Sequence, residues 1–273
     1  MGVKRPAVVK LGGELVEEPR RLRAIARVLA ATAARRPLVV VHGGGREIDR
    51  ALARAGIEKR QVDGIRITDP ATLDVVVQVL AGAVNTRLVA AITALGGRAV
   101  GLTGADDALG LSVLWGPQPS GGRPVRAGLV GRPVGPTSTR LLECLMARGY
   151  LPVVASIGLA RDGRLLNVNA DVLAGHLAAR LRAARLVIAG ATAGVLDDRE
   201  RTIPRLDVAA MRALTADGTA SAGMVAKLGA CEQALSGGVA EVVVADGRRA
   251  RALEAAVRAR RGAASLPATW IVN

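Results

Sequence analysis

The chain has 273 residues, enough for one large α/β domain or for two lobes that share one sheet. A formal net charge of +15 would suit nucleic-acid binding, but the arginines are spread over the whole length and aromatic residues make up only 1%. We therefore expect no nucleic-acid partner. The two cysteines and two histidines form no metal-spaced cluster, so we expect no protein-held metal.

Strand and helix patterns alternate along the chain. Strands are predicted at 7–11, in "RPLVVVHGGG", "GIRIT", "RAVGLT" and "YLPVVAS", and at 185–189, 240–245 and 268–272. Helices are predicted at 19–36, 46–55, 70–95, 137–148, 170–183, 207–215, 223–236 and 248–261. Surface hairpins are predicted in the Gly- and Pro-rich stretch 104–135 and around Asp162-Gly163. The alternation predicts an α/β fold with a mainly parallel sheet between helix layers.

The N-terminus shows no apolar segment of the kind that signal peptides contain. No uncharged run reaches the roughly 18 residues that a membrane helix needs. We expect a soluble, cytoplasmic protein with no membrane partner.

Two glycine clusters follow predicted strands. Gly12 and Gly13 come after the first strand, and Gly43, Gly44 and Gly45 come after the second. Ligands of parallel sheets bind beyond the carboxyl ends of strands, and glycines allow backbone N–H groups to approach an anion. The clusters predict a phosphate site, although tight strand-to-helix turns would explain them equally well. Neither cluster matches the Rossmann or the Walker pattern.

The "HGGG" stretch also occurs as the oxyanion-hole loop of α/β-hydrolases. That fold requires a nucleophile elbow followed by a histidine. The nearest elbow is "TASAG" around Ser221, and both histidines, His42 and His176, precede it. A hydrolase is therefore disfavoured.

Two lysines stand in unusual places. Lys10 ends an apolar strand, where its side chain has little room to reach solvent. Lys227 lies near the start of a predicted helix, where its charge opposes the helix dipole unless an anion binds there. A solvated surface lysine remains the alternative for Lys227.

The stretch "NVNAD" joins a strand to a helix. Asn169 is expected to cap the helix and Asp171 suits its first turn, but Asn167 has no such explanation. Arg66 alternates with Ile65 and Ile67, so it points away from their face. It is either an exposed arginine or a fork for a substrate carboxylate.

Taken together, the chain resembles the amino acid kinase family, and within it the short forms that phosphorylate N-acetyl-L-glutamate. The resemblance covers nearly the whole chain, in the order "VVKLGGEL", "LVVVHGGGREID", "DGIRITDPATLD", "LAGAVNTRLV", "GYLPVVASIG", "LLNVNADVLAG", "AGMVAKLGACEQAL". It implies a three-layer αβα open sandwich with a mainly parallel sheet of about eight strands. It also implies an N-terminal lobe (1–184) for acyl-amino-acid binding and dimerisation, and a C-terminal lobe (185–273) for ATP.

The resemblance also assigns roles to residues. Lys10, Lys227 and Asp171 would be catalytic, the lysines neutralising the moving phosphoryl group and Asp171 holding them. The substrate would be bound by Gly44, Gly45, Arg66, Asn167 and Asn169. The nucleotide would be bound by Gly12, Gly13, Ala191, Thr192, Gly194, Val195, Leu196, Gly223 and Met224. Gly45 would also donate a backbone N–H to phosphate, and Mg²⁺ would be carried on the phosphates of ATP.

The implied reaction is in-line attack of the γ-carboxylate on the γ-phosphate, in the second step of arginine biosynthesis. A carboxylate needs no general base at neutral pH, which suits a site without histidine or cysteine. The chain starts at the first strand, without the extra helix of the arginine-inhibited hexamers. An arginine-insensitive homodimer is therefore expected.

Two stretches depart from the family pattern. Ala191 stands where an aspartate is usual in the nucleotide loop, and the loop Gly104–Gly110 differs from the usual "GxDGG". These departures leave other activities open: a kinase for another acylated glutamate or for carrier-bound aminoadipate, or an inactive nucleotide or amino-acid sensor.

Overall fold

The computed structural model describes residues 5–62, 64–116, 118–120, 123–135, 137–216, 222–258 and 268–272. Its strands are β1 (Ala7–Leu11), β2 (Leu38–His42), β3 (Gln61–Val62), β4 (Ile65–Arg66), β5 (Ala99–Thr103), β6 (Ser112–Leu114), β7 (Gln118–Ser120), β8 (Arg123–Val125), β9 (Val130–Pro133), β10 (Leu151–Ala155), β11 (Ile157–Leu159), β12 (Leu165–Val168), β13 (Arg185–Gly190), β14 (Arg205–Asp207), β15 (Val242–Asp246) and β16 (Ala268–Val272). Its α-helices are α1 (Pro19–Ala33), α2 (Gly45–Arg54), α3 (Pro70–Val77), α4 (Asn85–Thr93), α5 (Arg140–Ala147), α6 (Ala170–Arg180), α7 (Val208–Ala216), α8 (Ala222–Ser236) and α9 (Ala250–Arg258). The possible elbow residue Ser221 lies outside the described residues.

The large sheet has eight strands in the order β14-β16-β15-β13-β1-β2-β10-β5. Neighbouring strands are parallel except for β15 and β16, which pair antiparallel. The central strands are buried on both faces, as their continuous apolar sequences predict. The fold class and the eight-stranded, mainly parallel sheet are thus confirmed.

Helices cover both faces of the large sheet. The odd-numbered side chains of β1, with those of its neighbours, pack against α1, α2, α3, α4 and α9. The opposite face, which begins with Val8, packs against α5, α6, α7 and α8. Lys10 shares that second face, because side chains alternate along a strand. Lys10 therefore points towards α6.

Local sequence signals set the helix starts. The Glu18 side chain accepts hydrogen bonds from the N–H groups of Arg20 and Arg21, and Pro19 begins α1. The Asp69 side chain accepts a hydrogen bond from the N–H of Thr72 at 2.8 Å and so caps α3, as predicted. The short edge strand β14 was not predicted, since three residues carry too little periodicity to reveal a strand.

The predicted helix 70–95 is one long helix, Pro70–Thr93, that contains a π-helical turn at Gln78–Val84. By length and composition it could cross a membrane, but it carries Asp74 and Arg87. One face packs into the core through residues such as Leu80 and Leu88. Of its most apolar stretch 39% is buried, and its exposed positions carry small or polar residues such as Gln78, Gly82 and Ala90.

At the amino edge of the sheet, Arg5 connects two parallel helices. Its guanidinium donates to the carbonyl of Arg182, just beyond α6, and to the carbonyl of Gly238, just beyond α8, at 2.6 Å for Gly238. The helices also pack closely along their length, since a Cβ on Gly175 would lie 2.7 Å from the Ala230 carbonyl oxygen. Arg5 therefore fixes the carboxyl ends of α6 and α8 beside each other.

Candidate active site

A cavity of about 280 Å³ opens at the carboxyl ends of β1, β2 and β12. The residues predicted for catalysis and substrate binding meet there, apart from Lys227. The cavity lining is formed by Lys10, Gly12, Gly13, Glu14, Gly43, Gly44, Gly45, Ile48, Gln61, Gly64, Ile65, Arg66, Leu80, Trp115, Val130, Ser156, Asn167, Val168, Asn169, Ala170 and Asp171. The position agrees with the general rule that ligands bind beyond the carboxyl ends of parallel strands.

Lys10 and Asp171 form an ion pair in this cavity. The Lys10 Nζ lies 2.9 Å from Asp171 Oδ1, and the two side chains are 9% and 8% exposed. Removing two charges from water is costly, and their mutual attraction offsets only part of that cost. The ammonium group of Lys10 has three N–H donors, so it keeps donors for an anionic ligand. The sequence placed both residues at the edge of the site, and the fold brings them into contact.

Lys227 approaches the same edge from α8. Its Cε lies 4.0 Å from the point that a Cβ on Gly190 would occupy, at the end of β13. The buried Cys231 lies near it: burial and then the charge of Asp171 raise the pKa of the Cys231 thiol, whereas the charge of Lys227 lowers it. Asp171 and Lys227 thus act on one thiol from neighbouring helices. α8 begins at Ala222, so Lys227 lies in its second turn rather than its first.

The glycines allow close approach of the two loops. A Cβ on Gly13 would lie 2.6 Å from the Gly44 Cα, and a Cβ on Gly44 would lie 2.8 Å from Leu80 Cδ2. A Cβ at position 13 therefore requires backbone movement, whereas a Cβ at position 44 requires the Leu80 side chain to shift. The Gly45 Cβ position is open and faces no atom within 4 Å.

Backbone donors differ among these glycines. The Gly12 N–H donates to the Ala189 carbonyl at 2.9 Å, so it serves the sheet. The N–H groups of Gly13 and Gly45 have no acceptor within the described part of the chain. Gly45 begins α2, which no side chain caps. An uncapped helix N-terminus beside a lysine favours a bound anion.

Arg66 is buried at the opposite side of the cavity. Its Nη2 donates to the Asp49 carboxylate and, at 3.5 Å, to the Gly45 carbonyl. Its Nη1 is buried and has no hydrogen-bond partner among the described residues. Since an unpaired buried donor costs about 1–3 kcal/mol, this nitrogen is suited to a ligand that accepts a hydrogen bond. Arg66 is therefore not the exposed arginine that the sequence left possible.

The two asparagines of "NVNAD" have different roles. The Asn169 side chain accepts hydrogen bonds from the N–H groups of Asp171 and Val172 and caps α6. The Asn167 side chain donates to the Thr68 hydroxyl at 3.1 Å. This contact joins β12 to the loop after Arg66 and explains the asparagine that a single cap left unexplained.

The residues predicted for the nucleotide loop lie beyond β13, outside the cavity lining described above. Ala191 is exposed, whereas Val195 is buried and its N–H donates to the Thr269 hydroxyl at 2.7 Å. Thr192, Gly194 and Leu196 continue this loop. Gly223 and Met224 lie in the first turn of α8, next to the turn that carries Lys227. These positions lie outside the cavity, on the side from which Lys227 approaches.

Sequence reasoning missed a buried pair behind the second glycine cluster. His42 is fully buried, and its ring contacts the Gly43 carbonyl through Nδ1 and the Asn85 amide through Nε2. Burial lowers the pKa of His42 to about 4, so the ring is neutral. The strand-end histidine and the "AVNT" asparagine were the available signals, but they lie 43 residues apart.

The loop Gly104–Gly110 closes on itself, since the Gly110 N–H donates to the Gly104 carbonyl at 2.6 Å. Asp106 accepts hydrogen bonds from the backbone and hydroxyl of Thr103. The loop does not contribute to the cavity lining, where Trp115 and Val130 form the wall instead. Trp115 was not predicted as a site residue.

Comparison with known proteins agrees with this geometry. Residues 5–246 match the model of the amino acid kinase family. Proteins named acetylglutamate kinase are 40% identical in Rhizorhabdus wittichii, over 95% of this chain and 88% of that protein, and 41% identical in Sphingopyxis alaskensis, over 95% and 87%.

Solved structures show the same fold. N-acetylglutamate synthase from Neisseria gonorrhoeae has a TM-score of 0.84 at 21% identity, covering 99% of this chain. This chain spans 60% of the length of that synthase. Carbamate kinase from Giardia lamblia has a TM-score of 0.68 at 14% identity, covering 100% of this chain and 99% of that one. At these identities the likeness concerns the fold alone, whereas the family match covers most of the sequence. The chain belongs to the amino acid kinase family.

Proposed function

We propose that this protein transfers the γ-phosphoryl group of ATP to the γ-carboxylate of N-acetyl-L-glutamate, the second step of arginine biosynthesis. The observation that carries the proposal is the buried Lys10–Asp171 pair in a glycine-lined cavity that also contains Arg66. Relatives at about 40% identity that are named acetylglutamate kinase support the same activity.

The substrate end of the cavity suits an acylated amino acid. The unpaired Nη1 of Arg66 can donate to an α-carboxylate. Apolar side chains of Ile48, Leu80 and Trp115 line the same cavity and can pack against an acyl group. Gly44, Asn167 and Asn169 complete this end in the proposal.

The phosphoryl end suits charge neutralisation. Lys10 and Lys227 approach from β1 and α8, and the Gly13 and Gly45 N–H groups have no protein acceptor within the described residues. In-line transfer between two oxygens spreads negative charge over the moving group, so positioned cations and N–H donors lower the barrier. The acceptor carboxylate is already ionised at neutral pH, so no general base is needed.

The nucleotide is assigned to the edge beyond β13. We propose that Ala191, Thr192, Gly194, Val195 and Leu196 contact the base and ribose, and that Gly223 and Met224 line the phosphates. Residues 1–184 would then form the acyl-amino-acid lobe and residues 185–273 the ATP lobe. When bound with ATP, Mg²⁺ would neutralise part of the phosphate charge. Among the described residues, Glu14 is the lining carboxylate that forms no ion pair, whereas Asp171 pairs with Lys10, so Glu14 would fit a metal that arrives with the nucleotide.

We further propose a cytoplasmic homodimer. β5 is an edge strand of the large sheet, and the neighbouring helix Pro70–Thr93 exposes small residues such as Gly82, Ala83 and Ala90. An open edge strand beside a helix surface of small residues allows a second copy to approach closely. Light scattering coupled to size-exclusion chromatography tests the dimer: a mass near the 28.0 kDa of the monomer would contradict it.

The activity is tested by ADP release with a panel of acceptors: N-acetylglutamate, N-succinylglutamate, glutamate, aspartate and UMP. We expect turnover with N-acetylglutamate to exceed that with every other acceptor. Faster turnover with another acceptor would identify that acceptor as the substrate in place of N-acetylglutamate. ATP binding without any turnover would refute the enzymatic function.

A further inference from the structure

The Glu14 carboxylate lies between the ends of β1 and β13, next to Gly12 and Gly190. A Cβ on Gly12 would lie 2.3 and 2.5 Å from the two oxygens of the Glu14 carboxylate, so this carboxylate lies directly over the end of β1. The carboxylate also lies 3.7 Å from the Cβ position of Gly190, at the end of β13. It therefore lies where β1 and β13 end side by side.

Two cationic side chains act near this carboxylate. Lys227 reaches the same Gly190 position with its Cε. Asp246, to which the Arg248 guanidinium donates, is the main cause that raises the pKa of Arg248, and the charge of Glu14 is a smaller one. No hydrogen bond or ion pair engages the Glu14 carboxylate within the described part of the chain.

A lone carboxylate is unfavourable beside a polyphosphate. It adds negative charge where phosphates need donors, and like charges at short range disfavour binding. The Glu14 carboxylate does not cap a helix, because Glu14 belongs to a 3₁₀ turn of three residues without a side-chain cap. The carboxylate instead fills the space that a side chain at position 12 would occupy. A divalent cation reverses the sign of the interaction by binding carboxylate and phosphate oxygens together.

The donor set suits Mg²⁺ in particular. Mg²⁺ is commonly held by one or two carboxylates together with substrate phosphates rather than by a complete protein cage. Among the described residues no group of three or more His, Cys, Asp or Glu side chains could hold a metal alone. Asp171, the other carboxylate of the lining, is engaged by Lys10. Glu14 is thus the carboxylate that remains for a nucleotide-borne metal.

We propose that Glu14 is a metal-contacting residue that couples Mg²⁺ to nucleotide binding at the ends of β1 and β13. The inference rests on the proposed function, because it requires ATP at this edge. It adds a protein contact to a metal otherwise carried on phosphates alone. Glu14 makes the metal-free nucleotide bind weakly and the metal-bound nucleotide bind tightly.

The test is a set of calorimetric titrations that measure the Kd of AMP-PNP in EDTA and in excess Mg²⁺. The quantity compared among variants is the ratio of the Kd in EDTA to the Kd in Mg²⁺. For the unmodified protein we expect Mg²⁺ to tighten binding at least about tenfold, which corresponds to ~1.4 kcal/mol. Glu14→Gln should reduce that ratio to about threefold or less while metal-free binding stays equal or becomes tighter. Glu58→Gln is the matched control, since Glu58 is exposed and outside the cavity lining, and it should retain the full ratio.

Mn²⁺ in place of Mg²⁺ gives a second readout that does not depend on turnover. The electron paramagnetic resonance spectrum of the Mn²⁺·AMP-PNP complex should change between the unmodified protein and Glu14→Gln. An unchanged Mg²⁺ ratio in Glu14→Gln would overturn the inference and leave the kinase proposal intact. Failure of the unmodified protein to bind AMP-PNP at all would overturn both.

Discussion

His42 and Asn85 meet behind the glycine loop 43–45: the imidazole Nε2 lies 3.0 Å from the Asn85 side-chain nitrogen. The same amide donates to the Val153 carbonyl at 2.9 Å. On its other side, His42 contacts the carbonyl of Gly43 at 3.1 Å. With the ring neutral, Nδ1 donates to that carbonyl and Nε2 accepts from Asn85. The pair thus connects β10 to the glycine loop that lines the cavity.

Asn85→Ala should loosen this loop. The substitution leaves the buried Nε2 of His42 without a donor, at a cost of about 1–3 kcal/mol. We expect the KM for the acyl amino acid to rise several-fold, with a smaller change in kcat and in the KM for ATP. Thr86→Ala, at an exposed neighbouring position, is the control. Equal changes in both KM values would argue against a specific effect on the loop.

Lys227→Ala should impair the chemical step. Loss of a cation directed at the transferring group is expected to lower kcat by about 10²-fold or more, with little change in the free energy of unfolding. Arg23→Ala removes one positive charge from an exposed position on α1 and should leave kcat unchanged. Near-normal turnover of the Lys227 variant would contradict the role proposed for this lysine.

Gly13→Ala should disturb both loops at once. Its Cβ would lie 2.6 Å from the Gly44 Cα, a distance that requires backbone movement. Overpacking of this kind costs about 1–3 kcal/mol, so thermal stability and kcat/KM should both fall. Gly229→Ala, on an exposed helical position with no atom near its Cβ, should instead raise stability by up to ~1 kcal/mol. Calorimetry and steady-state kinetics on both variants check the contrast.

Acid should destabilise the fold through its two histidines. Burial is the main cause that lowers the pKa values of His42 and His176 from 6.5 to about 4. Between pH 6.5 and pH 4 these histidines are protonated in the unfolded chain but neutral in the folded chain. The free energy of unfolding therefore falls as the pH drops from 6.5 to 4, and these groups leave it constant above pH 6.5. Each histidine contributes up to about 3 kcal/mol to this loss.

His176→Gln isolates one of these contributions. His176 contacts the Thr137 hydroxyl through Nε2 at 2.6 Å, away from the cavity. Calorimetry between pH 4 and 7 should show a weaker pH dependence of stability for this variant than for the unmodified protein. Identical pH profiles would show that His176 does not titrate as its burial implies.

The buried pair Arg185–Glu241 offers a test of charge burial. Each residue is about 4% exposed, and Arg185 also lies over the Trp270 ring and donates to the Ala256 carbonyl. Glu241→Leu alone leaves a buried charge and should lower the free energy of unfolding by about 3–5 kcal/mol. The double variant, which also carries Arg185→Met, should lose less free energy of unfolding than the single variant. Urea denaturation measures the free energy of unfolding of both variants. A larger decrease in the double variant than in the single variant would contradict the expectation.

Local signals carried most of the fold. Continuous apolar runs located β1 and β2, and the capping residues Asp69 and Asn169 located two helix starts. The strand-end lysine and the glycine clusters located the cavity because strand ends of a parallel sheet gather at one edge. These features depend on residues within a few positions of each other, which is why the sequence alone revealed them.

The remaining site features depend on contacts between distant segments. Asn167 donates to Thr68 across 99 positions, and no local pattern indicates that pairing. The fold-back of Glu14 over Gly12 depends on a backbone turn that composition does not specify. The π-helical turn Gln78–Val84 was also missed, since its sequence is as apolar as the α-helices on either side of it.

The hydrogen bonds of Arg5 join the two proposed lobes at one end. α6 belongs to residues 1–184 and α8 to residues 185–273, yet one guanidinium holds the carboxyl ends of both helices. Asp171 and Lys227 lie towards the other ends of these helices. A motion that separates the lobes while these hydrogen bonds persist would pivot at the amino edge of the sheet. The largest displacement then falls on the distance between Asp171 and Lys227, where the phosphoryl group would enter and ADP would leave.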